Sequence, residues 1–392
     1  MKTNPEGRIT LRLTRGTDGG LSASVASSRP LDAVRWFEGK TVDETLRLLP
    51  MLFRVCGTAQ AAAATGAVEQ ARMQSATRGV AAAREMLLVA ETVREHLLRI
   101  FTGWEAGATH DINLADVMRL PRDLSDQLFP GNDAFIPGAG ELRRSTVDFA
   151  DWHGQLTELV SDAVLGCAPD TFLRMHSSDV IRRWASNTDT IAARMARRVL
   201  ERGWADAGQT NTGALPELAD EALDSCLSGP AANRFVATPE WQGQVRETGA
   251  LARTGDYPVV AAARTFWDSG LLTRILARLA EIASGMARLE QLFAETAEDN
   301  PLPPRRGLPP GTGIGQAEAA RGRLVHRVVL DHDQVADYCL LAPTEWNFHP
   351  RGVLVQALET LAPGTDLEPL ASLLVEAIDP CVGYDLELFT DA

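Results

Sequence analysis

The stretch "RVCGTAQAAA" at residues 54–63 looks like half of a metal-binding motif. Cys56 stands in the first position of a potential C-x-x-C, but Ala59 fills the second. Near the other end, "IDPCVGYDLEL" at residues 378–388 repeats the pattern, with Cys381 in the first position and Tyr384 in the second. A lone cysteine is usually a small buried hydrophobe. Two half-motifs at opposite ends are the layout that a thiolate metal centre assembled from a whole chain would need.

The composition narrows the class of protein. The chain has 392 residues, of which 45% are hydrophobic and 23% charged, as in ordinary globular proteins. The formal net charge of −14 argues against nucleic acid or an anionic membrane as the main partner. No stretch approaches the length of a transmembrane helix. The five cysteines are odd in number and widely spaced, which argues against a disulfide framework and leads us to expect a reducing cytoplasm.

Hydrophobic periodicity predicts a mostly helical α+β chain. Residues 8–27 alternate around a turn and predict a β-hairpin, and a second hairpin is predicted from "RLVHRVVL" and "VADYCLLAP". Apolar residues at helical spacing predict long helices over 80–101 and 272–289. Two further helices are predicted at roughly 350–361 and 366–378. Loops are expected at about 129–140 and 300–315, and the glycines of "GTGIG" are interpreted as a flexible linker rather than a phosphate loop.

Taken together, these segments resemble the large subunit of nickel-iron hydrogenases. That family reads R-x-C-G-x-C-x-x-x-H early and D-P-C-x-x-C-x-x-H late. The intervening landmarks match in order: "PEGRITLRL", "RWFE", "EAARGRLVH" and "APTEWNFHP" resemble E-G-H-L-R-I, R-G-x-E, E-A-P-R-G-x-L-x-H and P-T-T-W-N-x-x-P. The resemblance implies the large-subunit fold, with a central helical bundle and small β-hairpins from both ends near the site. We expect a single large-subunit-like domain over residues 1–392. Residues 1–104 would hold the N-terminal hairpin, the first cysteine motif and a long helix, and residues 105–300 a divergent helical middle. Residues 316–392 would hold the C-terminal hairpin and the second cysteine motif.

The departures from the family pattern are selective. In the enzymes the first cysteine of each motif is a terminal nickel ligand and the second bridges nickel to iron. Here Cys56 and Cys381 remain, whereas the bridging positions hold Ala59 and Tyr384. Alanine has no donor atom, and a phenol is a poor substitute for a bridging thiolate. A stable nickel-iron pair is therefore not expected, but two thiolates could still hold one iron that carries cyanide and carbonyl ligands.

The resemblance also implies a cradle for those ligands. Arg321 corresponds to the arginine of P-R-G, and Pro343 with Thr344 corresponds to the start of P-T-T-W-N. A cyanide nitrogen is an acceptor that favours guanidinium, hydroxyl and backbone N–H donors. The alternative for Arg321 is a buried ion pair with a carboxylate such as Glu318 or Glu38. Pro343 and Thr344 could instead be turn residues at the end of a strand.

Three glutamates correspond to positions further from the metal. Glu6 matches the family's proton-transfer glutamate, and a structural role is expected for it here. Glu38 matches the glutamate of R-G-x-E, which helps to bind magnesium in the family. Glu387 replaces the last motif histidine. Because carboxylates can bind magnesium, the resemblance leaves this second metal open.

The retained and lost residues together resemble the HupK/HoxV-type accessory branch of the family. The resemblance implies a non-catalytic scaffold in hydrogenase maturation that transiently holds the Fe(CN)2CO precursor through Cys56 and Cys381. Its implied partners are maturation chaperones of the HypC/HypD type and a hydrogenase large subunit as acceptor. Two alternatives remain: a structural large-subunit-like protein without metal, and a divergent metal-binding hydrogenase large subunit.

Overall fold

The computed structural model describes residues 7–104, 113–144, 148–362, 364 and 366–390. The chain begins with two strands, followed by a short helix, an alanine-rich helix and a long helix. In order these are β1 (Ile9–Arg15), β2 (Leu21–Ser27), α1 (Val42–Leu52), α2 (Gly57–Ala71) and α3 (Arg78–Gly103). The predicted N-terminal hairpin and the first long helix are confirmed.

The middle of the chain is almost entirely helical. Its helices are α4 (Leu114–Leu128), α5 (Phe149–Leu159), α6 (Pro169–Leu173), α7 (Ser178–Asn187), α8 (Ile191–Glu201), α9 (Asp220–Leu227), α10 (Ala232–Ala237), α11 (Ala250–Thr254), α12 (Pro258–Trp267) and α13 (Leu271–Glu295). Two short strands, β3 (Gly213–Ala214) and β4 (Arg246–Glu247), pair in parallel between them. The predicted second long helix is α13. Its buried stripe packs on α3, where Gly285 lies close to Val93.

The last part of the chain returns to strands. It contains β5 (Thr312–Ala319), β6 (Gly322–Asp331), β7 (Gln334–Leu341), α14 (Pro343–Asn347), α15 (Val353–Glu359), α16 (Leu367–Ile378) and β8 (Tyr384–Thr390). The three strands β5, β6 and β7 form an antiparallel sheet. The predicted hairpin and the two predicted C-terminal helices are therefore confirmed.

Strands from the two ends of the chain form one sheet in the order β2-β1-β8. β1 pairs antiparallel with β2 and parallel with β8, so that Ile9 lies opposite both Ser27 and Tyr384. Alternation decides which face of β1 is buried: Ile9, Leu11 and Leu13 are at most 1% exposed. This pairing fixes the start of β8, and with it the loop that carries Cys381.

The interpretation of "GTGIG" as a flexible linker is wrong. Four of these five residues, 312–315, form the first half of strand β5, which lies directly on α2. A Cβ atom on Gly315 would stand 1.7 Å from the carbonyl oxygen of Ala63, and one on Gly313 would stand 1.8 Å from that of Ala67. The glycines therefore serve close backbone approach rather than flexibility. The small alanines of α2 complete the contact from the other side.

None of the helices in the described ranges is both long enough and apolar enough to cross a membrane. The two longest, α3 and α13, each carry several charged residues and are packed within the protein.

Candidate metal centre

Cys56 and Cys381 line the same cavity, although they lie near opposite ends of the chain. Cys56 is the residue before α2, and Cys381 lies in the loop between α16 and β8. The cavity has a volume of about 360 Å³. Neither cysteine forms a disulfide, and both are half-buried. The structure thus brings together the two residues that the half-motifs singled out.

The position of Cys56 depends on a carboxylate from α3. Glu91 is buried and accepts hydrogen bonds from the backbone N–H groups of Thr58 and Ala59, at 2.8 and 3.0 Å. These N–H groups belong to the first turn of α2, where a helix has no internal acceptors. The anion also suits the positive end of the helix dipole. Glu91 therefore anchors the turn that presents the Cys56 side chain to the cavity.

Each sulfur has a hydrogen-bond donor beside it. The Gln60 side chain donates to the Cys56 Sγ at 3.5 Å, and the Thr344 hydroxyl donates to the Cys381 Sγ at 3.0 Å. Burial, together with the nearby Cys381 and Glu91, raises the pKa of Cys56 to about 12, against the opposite effect of Gln60 and Arg321. Cys56 is consequently a neutral thiol at physiological pH until a cation displaces its proton.

Arg321 lies at the turn between β5 and β6 and lines the cavity beside both cysteines. It is 8% exposed, its Nη1 donates to Glu95 at 3.1 Å, and its Nε lies 3.4 Å from Asp379. Burial opposes the charge, but Asp379 and Glu95 outweigh it and raise the pKa of Arg321. The side chain is therefore a permanent cation held between two carboxylates.

The carboxylate partners of Arg321 differ from the two that the sequence suggested. Glu318 instead accepts from Arg253 at 2.9 Å and from Arg323 at 2.5 Å. Glu38 is exposed and pairs with Arg35 at 3.0 Å. Asp379 belongs to the quoted "IDPC" segment, so its proximity to the site could have been anticipated. Glu95 lies on α3 and has no motif of its own.

A second guanidinium lines the cavity, and the sequence analysis missed it. Arg29 hydrogen-bonds to Glu345, and the side chains of the two are 10% and 6% exposed. Burial lowers the pKa of Arg29, but Glu345, Cys381 and Cys56 raise it more, so it stays charged close to both sulfurs. The available signal was Glu345, which takes the place of the second threonine in P-T-T-W-N. An acid at that position requires a cation nearby.

In the segment that begins with Pro343, Pro343 itself lines the cavity and two other residues hold neighbouring groups in place. Pro343 starts α14 and lines the cavity, whereas Thr344 is buried and directs its hydroxyl to Cys381. Asn347 donates to the backbone carbonyl of Arg321 at 3.1 Å. The segment thus fixes the positions of one cysteine and one arginine of the site.

The rest of the cavity wall is largely apolar. Its side chains are those of Leu31, Ala33, Val34, Phe53, Ala319, Leu324, Leu340, Ala342 and Val382. Met51, Leu52 and Val55 also line it and are between 39% and 60% exposed, which places the opening at the connection between α1 and α2. The cavity therefore combines two thiols, two guanidinium groups and the side chains of Gln60 and Glu345 with a wall that is otherwise largely apolar.

The two bridging positions of the motifs contribute no ligand to this cavity. Ala59 is fully buried in α2, and its backbone N–H is held by Glu91. Tyr384 is the first residue of β8, half-buried against the main core and outside the cavity lining. Cys56 and Cys381 are therefore the motif positions that bring a thiol to the cavity.

Comparison with known proteins shows which family this chain belongs to. A family model described as nickel-dependent hydrogenase matches residues 206–382. Hydrogenase expression/formation protein HupK of Bradyrhizobium diazoefficiens is 33% identical over 97% of this chain and 95% of its own length. HoxV of Cupriavidus necator, with the same description, is 31% identical over 97% and 95%. The chain belongs to the HupK/HoxV family of hydrogenase expression/formation proteins.

The fold of this HupK/HoxV-family chain is that of the hydrogenase large subunit. The Ni-Fe-Se hydrogenase from D. vulgaris Hildenborough aligns with a TM-score of 0.64 at 15% identity, over 93% of this chain and 94% of the other. At that identity the likeness concerns the fold alone. It confirms the fold class expected from the ordered motifs, with helices at the centre and strands from both ends meeting beside the cavity.

The family resemblance indicated three glutamates, and the structure describes two of them, Glu38 and Glu387. Glu6 lies outside the described residues. Glu387 pairs with Arg12 at 2.9 Å on the β1–β8 sheet, and neither Glu387 nor Glu38 lines the cavity. Within the described ranges, no group of three or more His, Cys, Asp or Glu side chains is placed to hold a metal ion. A magnesium site at Glu38 and Glu387 gains no support from these positions.

Proposed function

We propose that this HupK/HoxV-family chain is a non-catalytic scaffold in the maturation of nickel-iron hydrogenase. It would transiently hold the Fe(CN)2CO precursor through Cys56 and Cys381, and then pass it to the hydrogenase large subunit. The observation that carries the proposal is the shared cavity of the two cysteines, with Arg321 and Pro343 in its wall. The printed descriptions of the relatives as expression/formation proteins support a role in maturation.

The donor set suits one iron that already carries strong ligands. Thiolates are soft ligands that bind iron, and two of them would complete the coordination of a metal with three diatomic ligands. Arg321 offers charged donors to a cyanide nitrogen. The apolar side chains of the wall suit a carbonyl ligand, which needs no hydrogen bond, and they exclude competing water. Each component of the precursor therefore has a matching surface.

The same donor set is poor for a nickel-iron pair. A second metal would need bridging ligands, and the positions that would supply them hold a buried methyl group at Ala59 and a phenol directed away from the cavity at Tyr384. Fewer thiolates also suit a carrier, because each thiolate bond must break when the iron moves on. We therefore assign transfer, rather than hydrogen turnover, to this site.

The route of the iron follows from the same assignment. Maturation chaperones of the HypC/HypD type would deliver the precursor in the cytoplasm, and a hydrogenase large subunit would accept it. The exposed apolar residues Met51, Leu52 and Val55 at the opening offer a surface against which a delivering or accepting protein could exclude water.

The test is spectroscopic. The protein is co-expressed with the maturation machinery and purified without oxygen, and its iron and nickel contents are measured together with its infrared spectrum. We expect iron with cyanide and carbonyl bands and no stoichiometric nickel. Cys56→Ala and Cys381→Ala should each abolish the bands. Cys226→Ala, which removes a half-buried thiol of α9 outside the cavity, is the matched control and should leave them unchanged.

Two results would contradict the proposal in different ways. Bands that persist in both single variants would show that the thiolates do not hold the iron. Stoichiometric nickel together with hydrogen uptake would instead identify a divergent hydrogenase large subunit. A wild-type protein without iron or bands would leave the structural large-subunit-like alternative.

A further inference from the structure

We propose that Arg29 binds the second cyanide of the iron precursor, so that each cyanide is held by its own guanidinium, one by Arg321 and one by Arg29. This inference rests on the proposed function and adds to it a residue outside every motif that carried the family resemblance. Iron(II) offsets only part of the negative charge of two cyanides and two thiolates, so the bound complex is an anion that needs cations in a cavity of low polarity.

The described residues of the wall place two arginines on this cavity. Arg321 faces it from the β5–β6 turn, and Arg29 faces it from the segment after β2. Arg29 lines this cavity together with Cys56 and Cys381, and both cysteines raise its pKa. The two cations therefore line the same cavity as the two thiols that would hold the iron.

Arg29 also has donors to spare. Among the described residues, its side chain hydrogen-bonds to Glu345 alone, which leaves most of the N–H groups of the fork without a partner. Glu345 is itself fixed, since it accepts from the backbone N–H of Ala342 at 3.2 Å. Glu345 also lines the cavity, and its carboxylate orients the guanidinium there. A fixed fork with unused donors is suited to an incoming acceptor.

The residue expected from the motif to serve this cyanide is otherwise engaged. The Thr344 hydroxyl donates its single proton to the sulfur of Cys381, and Thr344 does not line the cavity. One cyanide would therefore lack a side-chain donor if Arg321 acted by itself. Arg29 fills that gap. Glu345 stands where the family motif has a neutral threonine, and Arg29 is the cation that pairs with it.

The test uses the full chain co-expressed with the maturation machinery. Arg29→Met is combined with Glu345→Gln, so that no unpaired carboxylate is left buried and the amide oxygen can still accept from Ala342. The matched control is Arg84→Met with Glu69→Gln, a buried pair whose side chains are 10% and 14% exposed and which does not line the cavity. Thermal unfolding of the iron-free proteins checks that both double variants are folded.

We expect the Arg29→Met/Glu345→Gln protein to retain about tenfold less iron after gel filtration, since a charge-assisted hydrogen bond is lost. In the iron that remains, one cyanide band should shift more than the other and more than the carbonyl band. Arg29→Lys, which keeps the charge but loses the fork, should give an intermediate effect. The control pair should match the wild type in iron content and in all bands.

The outcomes separate this inference from the function on which it rests. If the wild type carries the bands and the Arg29→Met/Glu345→Gln protein carries them unshifted at wild-type iron content, Arg29 does not bind the cargo and the inference is overturned, while the proposed function stands. If both cyanide bands shift equally, the effect is a general field and the one-to-one assignment is also overturned. If the wild type has no bands, the proposed function fails and takes this inference with it.

Discussion

Replacing Gly315 by alanine tests the close contact between β5 and α2 on which the whole site depends. The new Cβ would stand 1.7 Å from the carbonyl oxygen of Ala63. Non-bonded carbon and oxygen atoms rarely approach closer than about 3.3 Å in folded proteins, so strand and helix would have to separate by roughly 1.6 Å. The obstacle is backbone on both sides, which cannot rotate away as a side chain can. We expect a destabilisation of about 3 kcal/mol, at the upper end of the usual cost of overpacking.

The measurement is equilibrium unfolding in urea, followed by circular dichroism, with the wild type alongside. Gly154→Ala is the control, because Gly154 is an exposed residue within α5 and its Cβ would meet no atom within 4 Å. That change should stabilise the protein by about 0.5–1 kcal/mol, because alanine is the better helix former. A Gly315→Ala protein that unfolds at or above the wild-type midpoint would refute the close-packing argument.

Two further predictions concern buried groups near the site. Glu91→Gln should lower the free energy of unfolding by about 1–2 kcal/mol, since a neutral amide binds the start of α2 more weakly than a carboxylate. Hydrogen exchange at the Thr58 and Ala59 amides should become faster, and unchanged exchange at both would contradict the anchoring role. His326 is fully buried with its Nδ1 2.7 Å from the Tyr338 hydroxyl, and burial lowers its pKa to about 3. The unfolded chain therefore binds a proton that the folded chain does not, and His326 lowers stability progressively as the pH falls from about 6.5 towards 3. His326→Asn keeps a polar group towards Tyr338 and should flatten the stability curve in that window relative to the wild type; equal slopes would show that His326 is not responsible.

Local hydrophobic patterns in the sequence were enough to predict most of the fold. The alternation in β1 and the stripes in α3 and α13 are decided by short-range periodicity, and the structure has them where the sequence indicated. The strands β5 and β8 were not anticipated. β5 is rich in glycine because α2 lies against it, and a glycine-rich sequence by itself is typical of a loop. β8 pairs with β1 from the other end of the chain, which periodicity within a window cannot reveal.

The residues of the candidate site also fall into two groups: those that a sequence motif marks and those that only packing brings to the cavity. Cys56, Cys381 and Arg321 could be selected because motifs mark them, and the structure brings all three to one cavity. Arg29, Glu91 and Glu95 could not be selected, since each reaches the site through the packing of its own segment rather than through a pattern. For Thr344 the motif indicated the right neighbourhood, but only the coordinates show that its hydroxyl is directed to a sulfur.

The parallel pairing of β1 with β8 has a consequence for the order of events during synthesis. Ile9, Leu11 and Leu13 are synthesised hundreds of residues before β8, the strand that completes their sheet. The same late segment brings Cys381. Until it docks, Cys56 has no partner thiol and the cavity has no complete wall. On the proposed function, a chain that is still being synthesised, or that is truncated before β8, would lack the complete cavity and would not accept the iron.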